Sequence, residues 1–176
     1  PVMMRTTTRL AHHKGLVEVG ERVEVEQKQF TPDPKRFSVP IYRTLLRPGV
    51  EKRMAEMRTY AETTPLNKVD WRTGKAGVTP QKGSVGFITS SIAYQYVREV
   101  SPESSVFRLG MTHPLPPNAI KEFCAAHEKI YIVEEGEPFI EDTIKAMGIT
   151  NIVGKEIFGV IGEYSPGRVA KAMGLS

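Results

Sequence analysis

Cysteine and long apolar runs are what this sequence has least of. Its 176 residues include one cysteine, Cys124. One thiol excludes an internal disulfide and any iron–sulfur cluster held by this chain alone, because such clusters take several thiolates. No apolar run reaches the roughly 18 residues that span a bilayer, so no membrane contact is predicted. The opening stretch PVMMRTTTRL has neither the apolar segment nor the cleavage site of a signal peptide. We therefore expect a cytoplasmic protein.

The sequence motifs that usually identify catalytic or cofactor sites are missing as well. The sequence contains no dinucleotide-binding glycine pattern, no P-loop, no zinc-protease helix and no nucleophile elbow. No pair of nucleophile and base stands out either. The sequence therefore predicts no catalytic residue in this chain, and no metal-binding residue.

Charge is distributed unevenly along a composition that is ordinary for a globular protein. Residues 1–82 hold 16 Lys and Arg against 9 Asp and Glu, whereas residues 83–176 hold 8 against 11. A basic half could bind nucleic acid or an acidic protein surface. Its basic residues are scattered, form no long cluster and do not alternate regularly with aromatic residues. That pattern disfavours nucleic acid and favours an arm that docks on a partner.

The second half of the chain alternates between strand patterns and helix patterns. Such alternation predicts an α/β fold with an open, mainly parallel sheet between two layers of helices. Ser165 and Pro166 are placed to begin the last helix, and Gly174 to end it. The predicted strands are SVGFITS, SSVFRLG, KIYIVEE and NIVGKEI, and the predicted helices are SIAYQYVREV, PPNAIKEFCAAH, PFIEDTIKAMG and SPGRVAKAMG.

The first half reads as an extended arm with one helix. Residues 1–13 look like a strand that has no evident neighbour, and GLVEVGERVEVEQ alternates as a strand or hairpin would. Residues 30–49 contain four prolines and are predicted to be an extended connector. The stretch PGVEKRMAEMRTYAETTP predicts a helix with one packing face, formed by Val50, Met54, Met57 and Ala61.

Two acidic residues at a strand end are the strongest candidates for a contact site. Glu134 and Glu135 follow a predicted strand, at the edge where open α/β sheets bind ligands. They could face a cation, a neighbouring domain or solvent, and we expect both to be solvated in this chain alone. The acids Glu137, Glu141 and Asp142 flank the start of a helix, where carboxylates complement the helix dipole. We expect these three to be structural.

The histidines and the arginines near the N-terminus are weaker candidates. His113 lies in a proline-rich loop after a strand, which suits either a contact or rigid turn chemistry. Arg5, Arg9 and His12 could form a cluster for an anionic group. Neighbouring His12 and His13 would point to opposite faces of a strand and would not share a metal. His127 lies on the apolar face of a predicted helix, as a core histidine does.

A family resemblance covers nearly the whole chain. The segments GFITSSIAYQYVRE, LGMTHPLPPNAIKEF and KIYIVEEGEPFIED resemble the large, or alpha, subunit of indolepyruvate:ferredoxin oxidoreductase, in the 2-oxoacid:ferredoxin oxidoreductase family. The upstream segments RTTTRLAHHKGLVEVGE and PLNKVDW are similar to the same subunit. Each segment is modest alone, and their order and spacing make the match specific.

The resemblance implies a thiamine diphosphate enzyme. Such an enzyme oxidatively decarboxylates aryl 2-oxoacids, passes the acyl group to coenzyme A and sends electrons through iron–sulfur clusters to ferredoxin. This chain lacks the Gly-Asp-Gly motif that holds the diphosphate through magnesium, as it lacks cluster cysteines. We therefore expect an internal fragment that is inactive alone and binds none of these cofactors.

The resemblance also implies a division of the chain and a set of neighbours. Residues 1–16 would be the last strand of a preceding thiamine-enzyme domain, residues 17–82 a linker arm with one helix, and residues 83–176 a transketolase C-terminal-like domain. The fragment would pack against other domains of its subunit and against the smaller beta subunit. The residues expected at these contacts are Glu134, Glu135, His113, Arg5, Arg9 and His12.

Two alternatives stay open at this point. The substrate could be pyruvate, 2-oxoglutarate or a branched 2-oxoacid, because nothing in this chain discriminates among them. The chain could instead be a free-standing interaction module whose basic arm binds acidic partners or RNA.

Overall fold

The computed structural model of the protein describes residues 3–33, 35, 40–71 and 85–175. The chain divides into two compact units, Pro1–Val39 and Pro40–Ser176. Nearly all secondary structure of the described residues belongs to the second unit.

The predicted strands of the first unit are not formed. Among residues 3–33 the chain has no strand, and its one regular element is a single helical turn, α1 (Thr8–Ala11). The Thr7 hydroxyl caps this turn by accepting a hydrogen bond from the Leu10 N–H at 3.4 Å. A strand needs a neighbour for its backbone groups, and these residues pair with none here. The assignment of residues 1–16 to a preceding domain stays a prediction.

The long helix α2 (Pro40–Thr63) begins well before its predicted start. The expected extended connector is wrong for residues 40–49, which are helical. Pro34 and residues 36–39 of the expected connector lie outside the described residues. Pro40 suits the first helical position, because its fixed φ is already helical and its missing N–H is not needed there. Pro48 removes one hydrogen bond from the helix interior. The surrounding Leu, Arg, Met, Glu and Ala residues favour helix strongly enough to continue through it.

The predicted packing face of α2 is buried at one end only. Ala61 is fully buried, whereas Val50 and Met57 remain 36% and 39% exposed. At that end the Glu62 carboxylate accepts hydrogen bonds from the backbone N–H groups of Asn118 and Ala119, at 2.9 and 3.0 Å. These N–H groups lie in the first turn of the helix Pro117–Ala125. We call the sheet of the second unit, with the helices that cover it, the α/β unit. The C-terminal end of α2 is thus fixed to that unit by both packing and capping.

A five-stranded sheet forms the centre of the second unit and confirms the predicted α/β class. All four predicted strands are present and run parallel, in the order β3-β2-β4-β5. The fourth, NIVGKEI, is a strand only at Ile152–Val153, and its predicted continuation is wrong because Lys155–Phe158 form a short helix. A further short strand, β1, was not predicted and pairs antiparallel with β3 at the edge. The strands are β1 (Asn67–Asp70), β2 (Val85–Ser90), β3 (Ser105–Leu109), β4 (Lys129–Val133) and β5 (Ile152–Val153).

Helices cover both faces of the sheet and enclose two separate cores. Ile88 on β2 contributes to one core and its neighbour Phe87 to the other, because successive strand residues point to opposite faces. The Ser165 cap is confirmed, with its Oγ accepting from the Arg168 N–H at 3.2 Å. The helices of the first core are α4 (Pro117–Ala125) and α5 (Phe139–Ala146), and those of the second are α3 (Ala93–Val100), α6 (Lys155–Phe158) and α7 (Pro166–Ala172).

His127 is a core histidine, as its pattern predicts. It is buried after α4, and its Nδ1 lies 2.8 Å from the Phe123 carbonyl oxygen. Its ring stacks on Trp71 at 5.9 Å between ring centres, with an interplanar angle of 2°. Nε2 has no hydrogen-bond partner among the described residues. Burial lowers the pKa of His127, and the contact with the Phe123 carbonyl opposes this only in part.

We expect His127 to make the protein less stable in acid. Its pKa lies below the 6.5 of an unperturbed histidine, so below that pH the unfolded chain binds a proton that the folded chain resists. The free energy of unfolding should therefore decline as the pH falls through this range. Urea unfolding across pH steps measures the slope. The control His127→Phe should flatten it, and an unchanged slope would contradict the assignment.

Cys124 should be almost inert towards thiol reagents in the folded protein. Its side chain is buried in α4, and burial raises the pKa of the thiol to about 12, from 9.0. The thiolate is the reactive form, so this shift lowers its population by roughly a thousandfold. Colour development with Ellman's reagent measures the rate. Ala125→Cys, exposed on the same helix, should add one rapidly reacting thiol, and equally rapid labelling of both would refute the packing described.

Candidate functional site

The carboxyl ends of the parallel strands gather the candidate residues at one edge. From β2 the chain moves to β3 on one side and later to β4 on the other, so the strand order reverses between β2 and β4. Open α/β sheets bind ligands and partners outside such a reversal. This carboxyl edge is formed by the loops of residues 90–92, 110–116, 134–138 and 154–165.

Glu134 caps a helix rather than facing solvent. Its carboxylate is buried and accepts hydrogen bonds from the Ile140 and Glu141 N–H groups, at 2.9 and 3.0 Å. These are first-turn donors of α5 that otherwise lack acceptors. Burial raises the pKa of Glu134, and the two N–H groups and the nearby Lys155 ammonium oppose the rise. The expectation that Glu134 is solvated is therefore wrong, because the helix that follows the turn folds back onto it.

Glu135 is exposed but also makes a contact within the chain. Its Oε1 accepts a hydrogen bond from the Tyr164 N–H at 2.8 Å. This bond connects the end of β4 with the loop that precedes α7. A contact of Glu134 or Glu135 with a neighbouring domain stays a prediction, and Glu135 is the one whose side chain a partner can reach.

The loop of residues 159–164 is held in one conformation by Arg168. The guanidinium donates hydrogen bonds to the carbonyl oxygens of Phe158 and Ile161, both at 2.7 Å, and to that of Glu163 at 3.2 Å. It also lies over the Tyr164 ring, 4.6 Å from the ring centre. The Tyr164 hydroxyl in turn donates to the Gly159 carbonyl oxygen at 2.5 Å. We call this set of contacts the Arg168 clamp. The sequence does not predict this clamp, although Gly159 and Gly162, on either side of Val160 and Ile161, are typical of a tight turn.

Glu141 is structural, but not merely as a dipole partner. Its buried carboxylate accepts from the Lys145 ammonium at 2.6 Å and from the Lys155 N–H at 2.8 Å. Burial alone would raise the pKa of Glu141, yet the bonds from Lys145 and Lys155 outweigh it and lower the pKa. A Cβ on Gly154 would collide with this carboxylate. Glu141 therefore joins α5 to the start of α6 and requires glycine between β5 and α6.

His113 reaches the same edge as the two acids. It is exposed in the loop after β3, and its ring centre lies 6.1 Å from that of Phe139 at the start of α5. The structure therefore brings His113 near the helix that Glu134 caps. Arg5, Arg9 and His12 belong to the first unit, where all three are exposed. Their predicted role in a contact stays a prediction.

Neither a membrane segment nor a metal cluster is found in the part of the chain that is described. No helix among these residues is long and apolar enough to cross a bilayer. No group of three or more His, Cys, Asp or Glu side chains among them is arranged to hold a metal ion. The one thiol is buried in α4, so the chain does not fit an iron–sulfur cluster. It likewise has no Gly-Asp-Gly sequence for a magnesium-bound diphosphate.

Three single alanine substitutions should separate the roles of the acids. Glu134→Ala leaves two buried helix donors without an acceptor and should lower the free energy of unfolding by about 1.5–3 kcal/mol. Glu135→Ala loses one bond at the surface and should cost about 0.5–1 kcal/mol. The matched control Glu137→Ala, exposed in the same turn, should stay within about 0.5 kcal/mol. Urea unfolding followed by circular dichroism gives all three values. If Glu134→Ala is as mild as the control, Glu134 does not hold α5.

Comparison with known proteins gives relatives over almost the full length of the chain. No family model matches it. It is 30% identical to the indolepyruvate oxidoreductase subunit IorA of Archaeoglobus fulgidus, over 99% of this chain and 29% of the relative. The subunit IorA of Methanothermobacter thermautotrophicus is 32% identical over 84% of this chain and 24% of the relative. That of Thermococcus kodakarensis is 29% identical over 98% and 28%. The chain thus spans less than a third of the length of these curated relatives.

A solved structure supports the same fold. The 2-oxoglutarate:ferredoxin oxidoreductase from Magnetococcus marinus, solved with 2-oxoglutarate, coenzyme A and succinyl-CoA bound, matches with a TM-score of 0.52. The match covers 78% of this chain and 24% of that chain, at 16% sequence identity. At this identity the likeness concerns the fold. The sequence relatives, independently of this structure, confirm the predicted resemblance: the chain belongs to the family of the indolepyruvate oxidoreductase subunit IorA.

Proposed function

We propose that this chain is a non-catalytic part of the large subunit of an indolepyruvate:ferredoxin oxidoreductase. The observation that carries the proposal is the similarity to IorA, which runs along 99% of the chain in one alignment. The intact enzyme would convert aryl 2-oxoacids to acyl-CoA and reduce ferredoxin. Thiamine diphosphate, magnesium and iron–sulfur clusters would be bound by parts of the enzyme outside this chain. Such an enzyme would work in the cytoplasm.

The chemistry of the buried acids supports a structural role. Both carboxylate oxygens of Glu134 accept N–H bonds from α5, and both oxygens of Glu141 are bonded to lysine or backbone nitrogen. A general base must come within hydrogen-bond reach of substrate, and these two carboxylates are buried against the fold. Glu134 and Glu141, the two glutamates whose pKa values are shifted by their surroundings, therefore stabilise the α/β unit.

The division of the chain follows from the same proposal. Residues 83–176 would be the transketolase C-terminal-like domain, residues 17–82 the linker arm and residues 1–16 the end of a preceding domain. The α/β unit would position cofactor domains of its own subunit and the interface with the smaller beta subunit. The link through Glu62 and the added strand β1 supports a rigid connection between α2 and that unit.

Substrate-dependent ferredoxin reduction tests the activity. The full-length subunit, purified anaerobically with its smaller subunit, should reduce ferredoxin when indolepyruvate, coenzyme A and thiamine diphosphate are all present. Aryl pyruvates should give a kcat/KM at least about tenfold above pyruvate and 2-oxoglutarate, a difference of about 1.4 kcal/mol in transition-state binding. A preference for 2-oxoglutarate would overturn the substrate, and no reduction with any 2-oxoacid would overturn the enzyme class.

The isolated chain provides the matched control. Titration with thiamine diphosphate and magnesium in a calorimeter should show no specific heat, because the diphosphate motif lies outside its sequence. The full-length subunit should bind under the same conditions. Micromolar binding by residues 1–176 alone would show that this chain carries part of the cofactor site.

A further inference from the structure

Large apolar side chains project from the carboxyl edge of the sheet. Ile161 is 85% exposed and Phe139 is 50% exposed, and Ile92 and Val160 are 45% and 44% exposed. Ile92, Val160 and Ile161 come from two of the four loops that form this edge, and Phe139 begins the helix that follows a third. Single exposed apolar residues are common, but four large ones along the edge where open α/β sheets place their binding sites indicate an interaction surface.

The most exposed of them, Ile161, is held firmly in place. The Arg168 clamp binds the Ile161 carbonyl oxygen and the backbone on both sides of it. Glu135 fixes the far end of the same loop through the Tyr164 N–H. Gly159 and Gly162 have φ of +72° and +82°, which allow the tight turn around the tip. A loop whose backbone is already ordered loses little backbone entropy on binding, so this tip is prepared for a contact.

The shape of the edge favours a protein partner over a small molecule. Small-molecule sites are concave and surround their ligand. Here the apolar side chain stands out from a loop, so the matching cavity belongs to the partner. Projecting apolar side chains that fill a partner's pocket are typical of protein interfaces.

The charge of the edge defines that partner further. Glu135, Glu137, Glu156 and Glu163 are exposed in its loops. The one lysine of these loops, Lys155, directs its ammonium inward, to the Glu134 carbonyl oxygen and to the Tyr164 hydroxyl at 2.9 Å. An acidic surface repels phosphate-bearing ligands and attracts lysine and arginine. A complementary partner therefore carries basic side chains around its apolar pocket.

We propose that this edge, through Ile161, docks onto an apolar pocket rimmed by Lys and Arg on another domain of the same polypeptide. The inference rests on the proposed function, in which this chain is part of a longer subunit. The relatives have about 70% of their length outside the matched segment, since 29% of the first one is covered. A domain on the same chain meets this edge at a high effective concentration. The beta subunit and a second copy of the subunit are the competing occupants.

Photocrosslinking from position 161 identifies the occupant. The full-length subunit, purified with its smaller subunit, carries p-benzoylphenylalanine in place of Ile161 and is irradiated, digested and analysed by mass spectrometry. We expect adducts with a Lys- and Arg-containing peptide of the same polypeptide outside residues 1–176. A matched probe in place of Glu128, exposed at the opposite edge just before β4, should not give that adduct. Adducts with the smaller subunit, with a second copy or with no protein at all would overturn the proposal.

Substitution tests the energetics of the contact. Ile161→Glu should leave the thermal midpoint of the 176-residue chain unchanged, because the side chain is exposed. In the full-length subunit it should speed tryptic cleavage between domains at least about tenfold, as loss of a central interface residue weakens docking by more than about 1 kcal/mol. Glu156→Lys should act in the same direction and Glu128→Lys should not. A lowered midpoint of the chain itself, or unchanged cleavage, would assign Ile161 no role in docking.

The outcome is independent of the activity assay. If the crosslink forms as expected but no 2-oxoacid is oxidised, the docking surface stands and the proposed enzyme class fails. If ferredoxin is reduced but position 161 reaches no other domain, the enzyme class stands and the docking surface fails.

Discussion

The hydrogen bonds between the Glu134 carboxylate and the first turn of α5 are the constraint on which the rest of the carboxyl edge depends. They fix α5 directly against the end of β4. With α5 in that position, Glu141 reaches the Lys155 N–H and fixes the start of α6. Lys155 then returns its ammonium to the Glu134 carbonyl oxygen and to the Tyr164 hydroxyl. One buried carboxylate thus closes a circuit through three elements, because its two oxygens satisfy donors that a helix start cannot satisfy itself.

This circuit leaves the outer surface of the edge free for contacts. Every polar group that the circuit uses lies on the inner side, while Glu135 and the tip around Ile161 face outward. The Arg168 clamp adds rigidity to that tip without covering its side chain. The arrangement supports the proposal that this chain is part of a larger enzyme and holds neighbouring domains in register. The relatives are several times longer than the chain, so they have room for such domains.

Strand and helix patterns predicted the α/β unit because apolar periodicity and helix-capping residues are local features of the sequence. The apolar runs of β2, β3 and β4 predicted strands correctly, and Ser165 caps its helix as predicted. Two features depended on distant partners and could not be predicted: the short strand β1 exists because β3 offers an edge, and Glu134 turns inward because α5 folds back onto it. A third, the extension of α2 through Pro48, has a local cause, because the helix propensity of the surrounding residues outweighs one proline. The alternation of apolar and polar residues over 16–26 predicted a strand that is not formed, because alternation alone supplies no neighbouring strand to pair with.

The separation of the two cores by the sheet has a consequence for how this family can change. Phe87 and Ile88 are adjacent in the chain, yet each packs into a different core. Side chains that share no contacts affect stability additively, so a volume change on one face needs compensation only on that face. The apolar residues of α4 and α5 can therefore change together while those of α3, α6 and α7 stay the same, provided that the bond between Glu141 on α5 and Lys155 on α6 is kept. The face bearing the Arg168 clamp can accumulate apolar substitutions independently, which lets the loop around Ile161 diverge without rebuilding the opposite core.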